Sequence, residues 1–579
     1  MLTPRVWALL AAPICAGAAL LAGCRPPPPA TPPPEPETAE PAWFEDVTEQ
    51  FGLDFVHDAG PLDGSYFMPQ IFGSGAALFD FNNDGRLDIL LLQNGGPQSS
   101  AKNKLFQQTA DGHFKDVSAG SGLDFAGWNM GVAVGDVDND GWPDVLITQY
   151  GGVKLFHNNG DGVFQDVTRA AGLNVPGWST SAAFFDYDRD GRLDLVVVRY
   201  LDYDPSSPCS GPSGASDYCH PKTFRGMTSV MYHNVSSPGS PRFEDVTAAS
   251  GLGRLPGPGL GVVCADFDGD GWPDIFISND GQPNRLWINQ KNGTFKEEAV
   301  KRGVAYNGMG QAQAGMGVGL GDADGDGLED LFVTHLGGET NALWMQGPRG
   351  LFRDLSGASG LAAPGWRGTG FATVLADFDL DGALDVALVN GRVARGEAAP
   401  GAAGLGPHWS AYAERNQLFA GDGVGRFRDL SARQPALCGS PNVGRGLAVG
   451  DVDGDGAPDL LVTAAGGRAR LLLNRAPNRG RWLIVRPLDS ALERDATGAV
   501  VVVRAGERRW VRRADPAGGY LCSGDPRALF GLGAIKMVDA VEVDWPDGAR
   551  EEFPGGPADQ TMKVRKGTGK PMTAKGRGA

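Results

Sequence analysis

At 579 residues, with 41% hydrophobic side chains, the chain has enough apolar content to bury extensive cores, which excludes disorder as its main state. Glycine (87) and proline (41) make up more than a fifth of it, arguing against a helical bundle and for many short strands joined by turns. Acidic residues outnumber basic ones by 69 to 51, which argues against a nucleic-acid partner, because such binding neutralises phosphates.

In chain order, the first element is a processing segment. Arg5 precedes an apolar run from Val6 to Leu21 that is short for a membrane span and interrupted by Pro13, the pattern of a secretory signal over residues 1–23. Leu21-Ala22-Gly23-Cys24 resembles the bacterial lipobox, which implies cleavage before Cys24 and diacylglycerol on its thiol. A plain secreted protein and an uncleaved anchor are the alternatives. The expected location is the bacterial cell envelope, with membrane attachment through lipid and, lacking an Asp beside Cys24, the outer membrane in a diderm. A Pro-rich tether then runs to residue 42 and is expected to be extended.

Next comes a repeat. Seven stretches have the form D-x-[N/D]-x-D-G-x-x-D, starting at Asp80, Asp136, Asp186, Asp266, Asp322, Asp377 and Asp451. The pattern suits Ca2+, a hard cation that takes six to eight oxygens at roughly 2.3–2.6 Å. Positions 1, 3 and 5 supply side-chain oxygens, position 7 a backbone carbonyl, and position 9 closes the site, while Gly at position 6 permits the reversal. The first loop offers Asp80, Asn82, Asp84, the Arg86 carbonyl and Asp88. The second offers Asp136, Asp138, Asp140, the Trp142 carbonyl and Asp144; the third, Asp186, Asp188, Asp190, the Arg192 carbonyl and Asp194. The fourth has Asp266, Asp268, Asp270, the Trp272 carbonyl and Asp274; the fifth, Asp322, Asp324, Asp326, the Leu328 carbonyl and Asp330. The sixth has Asp377, Asp379, Asp381, the Ala383 carbonyl and Asp385, and the seventh Asp451, Asp453, Asp455, the Ala457 carbonyl and Asp459. Asn82 and Arg86 make the first loop the expected weakest site. An EF-hand is excluded, because every twelfth position is apolar and lies in a strand-like run.

Carboxylates crowded this closely repel one another without a cation, so ion binding and folding are expected to be coupled. Up to seven structural Ca2+ are the implied cofactor. Much of the formal charge of −18 is then metal-binding chemistry, not a face awaiting a basic partner.

Around each loop the sequence reads as four short strands: a small-residue run, an aliphatic strand, an Asn/Lys-x-Leu-aromatic strand, and Phe-x-Asp-Val/Leu, as at Phe114–Val117. Four strands per unit is the pattern of a propeller blade. The last repeat lacks the fourth element, and its match, Phe44-Glu-Asp-Val-Thr48, stands at the opposite end. The expected fold is therefore all-β: a seven-bladed calcium-binding propeller over residues 43–478, closed by the N-terminal strand. Pairing that strand covers two sheet edges that otherwise invite aggregation. An open β-solenoid is the rival.

Two insertions interrupt the period. One, about Asp202 to Thr228, carries Cys209 and Tyr218-Cys-His-Pro221, with Cys209 and Cys219 as disulfide candidates and a Cys-Cys-His metal site or unpaired thiols as the alternatives. The other, about Gly391 to Arg415, ends with His408-Trp409 and Tyr412. His57, His157, His233 and His335 are candidates to line a central channel. No nucleophile–base–acid grouping is visible, so no catalytic residue is assigned.

From Arg481 the pattern changes to a small β-domain over residues 479–568, with a Gly/Lys-rich tail expected to fray from Lys566. Arg508, Arg509, Arg512 and Arg513 flank Trp510-Val511 and suit a strand docking on the acidic propeller. Gly519-Tyr520-Leu521, Phe530-Gly-Leu-Gly533 and Val543-Asp-Trp-Pro-Asp-Gly548 resemble the motifs of the ASPIC/UnbV domain. The repeats resemble FG-GAP or VCBS repeats, akin to the calcium-binding blades of integrin α chains. The whole is similar to bacterial relatives of the cartilage acidic protein family, a resemblance that implies calcium ligands at the matching aspartates but no defined reaction. The expected function is a calcium-stabilised, extracytoplasmic lipoprotein whose propeller binds an envelope or extracellular protein or glycan. A structural or assembly factor of the envelope and a propeller enzyme are the alternatives.

Overall fold

The computed structural model describes residues 41–573 apart from 212, 213, 363, 490 and 493. The expected signal, the lipidation at Cys24 and most of the tether lie outside the described residues.

Seven four-stranded antiparallel sheets carry the seven loops. In the second, Asn129–Gly135, Asp144–Gln149, Gly152–Asn158 and Phe164–Asp166 pair in sequence order. The first hairpin keeps one register throughout, with the ninth-position Asp opposite the residue before the loop: Phe79 faces Asp88, Gly135 faces Asp144 and Gly450 faces Asp459. The aliphatic second strands are apolar on both faces because each sheet is sandwiched between two others; Leu146 and Ile147 are both fully buried. The fourth strand forms the rim, burying only its Phe, as at Phe114 and Phe164. A local staple follows it. Asp116 accepts the Ser118 amide at 2.9 Å, and Ser118 Oγ accepts the Leu105 amide of the third strand at 2.9 Å.

The chain closes on itself. The seventh sheet holds Gly444–Gly450, Asp459–Ala464 and Arg470–Asn474, and its fourth strand is Phe44–Asp46, with Phe44 opposite Asn474. Thr48 repeats the rim staple there, accepting the Leu471 amide at 2.9 Å. An apolar core joins the seventh sheet back to the first, where Leu461 and Leu471 pack with Leu78, Ile89 and Phe106. An open solenoid would leave both of those faces in water, so the rival reading is excluded.

From Arg481 two further sheets face each other over a core that includes Val485, Val501, Phe530 and Val541. Gln560–Arg565 runs parallel to Arg481–Asp489 in one sheet. In the other, Lys570–Pro571 pairs with Glu551–Glu552, so pairing continues past Lys566, where fraying was expected to start.

This second body sends residues 518–525 into the middle of the ring. The Gly519 carbonyl accepts the Val262 amide at 2.9 Å, and the Leu521 carbonyl accepts the Val132 amide at 3.0 Å. Ser523 exchanges two backbone bonds of 3.0 Å with Ala76 and Leu78, and the Asp525 amide donates to the Val449 carbonyl at 3.0 Å. Tyr520 is fully buried, and its hydroxyl donates to the Phe72 carbonyl at 3.2 Å. Small residues five positions before each loop, Gly75, Gly131, Ser181, Gly261, Gly317, Ala372 and Gly446, give the plug its room. A Cβ on Gly131 would stand 2.8 Å from Leu521 Cα, and one on Gly446 would stand 2.8 Å from Cys522 Sγ. Cys522 is thus a packing residue of the plug.

The expected docking strand, Arg508–Ala514, lies against the loops. Arg513 pairs with Glu329 of the fifth loop at 2.5 Å. Arg494, buried, donates to Asn139 Oδ1 at 2.6 Å and to the Gly191 carbonyl at 3.0 Å, bridging the second and third loops. The second body therefore sits at the loop ends of the sheets.

Candidate metal-binding loops

One backbone turn builds every loop. Position 6 is glycine with positive φ in all seven, from +86° at Gly327 and Gly456 to +104° at Gly382. Position 4 is left-handed as well, and this the sequence reading missed. Asn or Gly stands there in five loops, but Arg189 and Leu380 adopt φ of +62° and +60°. Neither residue type marks a turn by itself; the signal lay in the other five copies.

Shared hydrogen bonds then orient the carboxylates. In each loop the ninth-position Asp accepts the position-2 amide with one oxygen, at 3.0 Å for Val137 on Asp144. Its other oxygen accepts an amide of the third strand, at 2.9 Å for Asn158 on Asp144 and 2.8 Å for Asn289 on Asp274. The position-7 amide donates to the position-5 carboxylate, at 3.0 Å for Trp142 on Asp140 and 2.9 Å for Trp272 on Asp270. The equivalent residues Leu328, Ala383 and Ala457 do the same on Asp326, Asp381 and Asp455.

Among the described residues, carboxylate oxygens gather closely enough to hold a metal ion. Asp136, Asp138 and Asp144, Asp186, Asp188 and Asp190, and Asp266, Asp268 and Asp274 each place oxygens within 4.8 Å of one another. Burial, ahead of mutual repulsion, raises the pKa of several loop carboxyls: Asp88, Asp274 and Asp330 to about 8, Asp377 and Asp451 to about 7. Asp138 reaches about 7, with the charges of Asp144 and Asp140 adding to its burial and His157 and the Gly239 amide opposing. Both Asp138 oxygens are buried without a hydrogen-bond partner of normal geometry, and so is Asp451 Oδ1. Buried acceptors of this kind cost free energy unless something is bound to them, and a divalent cation fits.

Protein cations already reach several loops. Arg86 pairs with Asp84 and Arg192 with Asp190, so the weakness expected of the first loop extends to the third. Lys291 approaches Asp270 at 2.9 Å, and Arg475 approaches Asp453 at 3.0 Å.

The channel expectation for the histidines is corrected. His157 and His233 sit on third strands beside the second and third loops, at 3.0 Å from Asp144 and 3.1 Å from Asp194. His57 accepts the Gly466 amide at 3.1 Å, and His335 is buried edge-on to Trp344, with ring centroids 6.3 Å apart. Plug backbone fills the centre instead.

The two insertions follow the far ends of second strands, opposite the loops, and they meet. Tyr412 donates to Asp217 at 2.5 Å, the Arg395 amide donates to Asp217 at 2.8 Å, and the Tyr218 hydroxyl lies 3.1 Å from His408 Nε2. Cys209 and Cys219 form a disulfide. His220 Nδ1 accepts the Lys222 amide, and the disulfide leaves neither thiol free, so the Cys-Cys-His metal alternative is overturned. Cys264, Cys438 and Cys522 are buried thiols.

A family model described as FG-GAP-like repeat matches residues 80–147, 136–197, 266–333 and 409–462. Another, ASPIC and UnbV, matches residues 489–571. The loop Asp377–Asp385 lies outside the matched ranges and has the same geometry. Cartilage acidic protein 1 of Mus musculus is 29% identical over 322 residues, covering 53% of this chain and 44% of that protein. The Homo sapiens protein is 28% identical, with 53% and 43% covered. The chain thus spans less than half the length of these curated relatives. Among solved structures, an Agrocybe aegerita lectin recognising non-reducing terminal N-acetylglucosamine aligns over 67% of this chain and 84% of that one, at 16% identity and TM-score 0.35. BBS1N in complex with ARL6DN aligns over 76% and 98%, at 9% identity and TM-score 0.38.

Proposed function

We propose that this chain, which carries FG-GAP-like repeats and an ASPIC and UnbV domain, is a calcium-stabilised lipoprotein of the cell envelope whose ring presents a binding surface to a protein or glycan. The observation that carries the calcium reading is the shared loop geometry together with the orphaned buried Oδ1 of Asp451. Bound Ca2+ would draw on positions 1, 3, 5 and 9 and offset the burial and mutual repulsion of the carboxylates there. The loop ends are covered by the second body, whereas the insertions stand at the opposite ends of the same strands. Loops set on a rigid ring are where specific recognition is most easily built. The insertion face, with Tyr66, Tyr218, His408 and Arg395 packed together, is therefore the binding face in this reading.

The test is a pull-down from envelope extract with calcium and again with chelator, using wild type and a variant lacking residues 395–408. One saturable protein or glycan, lost with chelator and in the variant, is the expected result. A stable multiprotein complex indifferent to the deletion would replace this reading with that of an assembly factor. Cys24→Ser should move the protein from the membrane to the soluble fraction.

A further inference from the structure

The seven loops are not chemically equivalent. At the third-strand position just before the residue whose amide binds the ninth-position Asp, five sheets carry Gln107, Ile288, Met345, Ala420 or Leu473. The second and third carry His157 and His233. In the second loop the imidazole is turned into the carboxylate cluster. Its Nδ1 is 3.0 Å from Asp144 Oδ1 and 3.7 Å from Asp138 Oδ2, and its Nε2 is 3.8 Å from Asp140 Oδ2. His157 is only 7% exposed. Asp138, 1% exposed, lies in the same cluster, and neither of its oxygens has a hydrogen-bond partner of normal geometry.

Ligands bound at about 2.0–2.2 Å to one ion lie about 3.0–4.2 Å apart; His157 Nε2 and Asp140 Oδ2, 3.8 Å apart, fit that interval, while Nδ1 is hydrogen-bonded to Asp144, which orients the ring. Ca2+ takes oxygen donors almost exclusively, whereas imidazole with carboxylates suits first-row transition metals. We infer that the second loop, through His157, Asp138 and Asp140, whose ligand atoms lie within 4.8 Å of one another, is a mixed nitrogen–oxygen site that takes a divalent transition-metal ion such as Zn2+ or Mn2+ in preference to Ca2+. The inference rests on the loops being cation sites and differs from the calcium reading for this one loop. The third loop repeats the arrangement more weakly, because His233 is more exposed and Arg192 already occupies Asp190.

Co2+ is the probe, added to chelator-stripped full-length protein in excess Ca2+ and read by visible absorption and by metal analysis after dialysis. Retained Co2+ with ligand-field bands, displaced by Zn2+ but not by Ca2+, is expected. His157→Gln should weaken Co2+ binding by at least the roughly 10–100-fold that loss of even an outer-shell partner costs, while leaving Ca2+ on the other loops. His157→Asp, which restores an all-oxygen site, should lose Co2+ and gain one Ca2+. If Ca2+ binds the other loops but no Co2+ survives excess Ca2+, or if His157→Gln retains it unchanged, the inference fails and the calcium reading stands. If neither metal binds, the calcium reading itself has failed.

Discussion

The side-chain amide of Gln108 in the first sheet donates to the backbone carbonyl of Val452 in the seventh loop at 2.8 Å, across 344 positions of sequence. It is one of a series. Asn158 donates to Phe81, Asn234 to Val137, Asn289 to Tyr187 and Asn474 to Phe378, each tying a third strand to the position-2 carbonyl of the preceding loop. Gln108 is the member that closes the ring. Gln108→Leu leaves the buried Val452 carbonyl without this donor, a loss of about 1–3 kcal/mol. Chemical denaturation should show that destabilisation, with earlier proteolytic release of the N-terminal strand; unchanged stability would remove the latch.

Asp268 is partly buried in the fourth loop and also pairs with Arg302 at 3.1 Å. Asp268→Ala should lower the melting temperature strongly in calcium and much less after chelation, the remainder reflecting Arg302. Calcium-linked stability requires an ion bound to the folded state only. Equal destabilisation in both conditions would mean that Asp268 does not act through the ion.

Raised carboxylate pKa values fix a pH dependence. A carboxyl whose folded pKa lies above its unfolded value of about 3.9 favours folding while protonated and loses that contribution as pH rises. With Asp138 at about 7 and Asp88, Asp274 and Asp330 at about 8, the metal-free protein should lose stability steadily between about pH 4 and pH 8. Calcium opposes this by binding the ionised form, so its stabilisation should be larger at pH 8 than at pH 5. Thermal melts at both pH values, with calcium and with chelator, check the sign.

Gly519 enters the ring with φ +70°, and an added Cβ would lie 1.9 Å from the Val318 carbonyl oxygen. Gly519→Ala should expel the plug. Limited proteolysis should then cut near residue 479 and release the second body, while the ring stays folded in calcium. A variant as protease-resistant as wild type would show that the plug does not hold the two bodies together.

The loops, the four-strand period and the closing strand were legible because they repeat: one Asp-Gly pattern occurs seven times, and Phe44-Glu-Asp-Val fills the single gap. The plug was not. Its partners lie far away in sequence, Gly519 with Val262 and Ser523 with Ala76, and no local pattern encodes such pairing. Its trace was the small residue five places before each loop, visible as a small-residue run but without a reason to be small. The histidines were misplaced because strand alternation says which residues share a face, not that His157 turns toward a loop. Leu380 at a left-handed position was hidden because its conformation is held from outside, where its carbonyl accepts the Gly533 amide of the second body at 2.9 Å.

Metal analysis of protein purified in calcium and dialysed against metal-free buffer, with melting followed before and after chelation, bears most directly on the whole account. Several tightly held Ca2+ per chain, and a large fall in melting temperature on their removal, are predicted. A chain that retains no ion and melts at the same temperature with chelator as with calcium would contradict it.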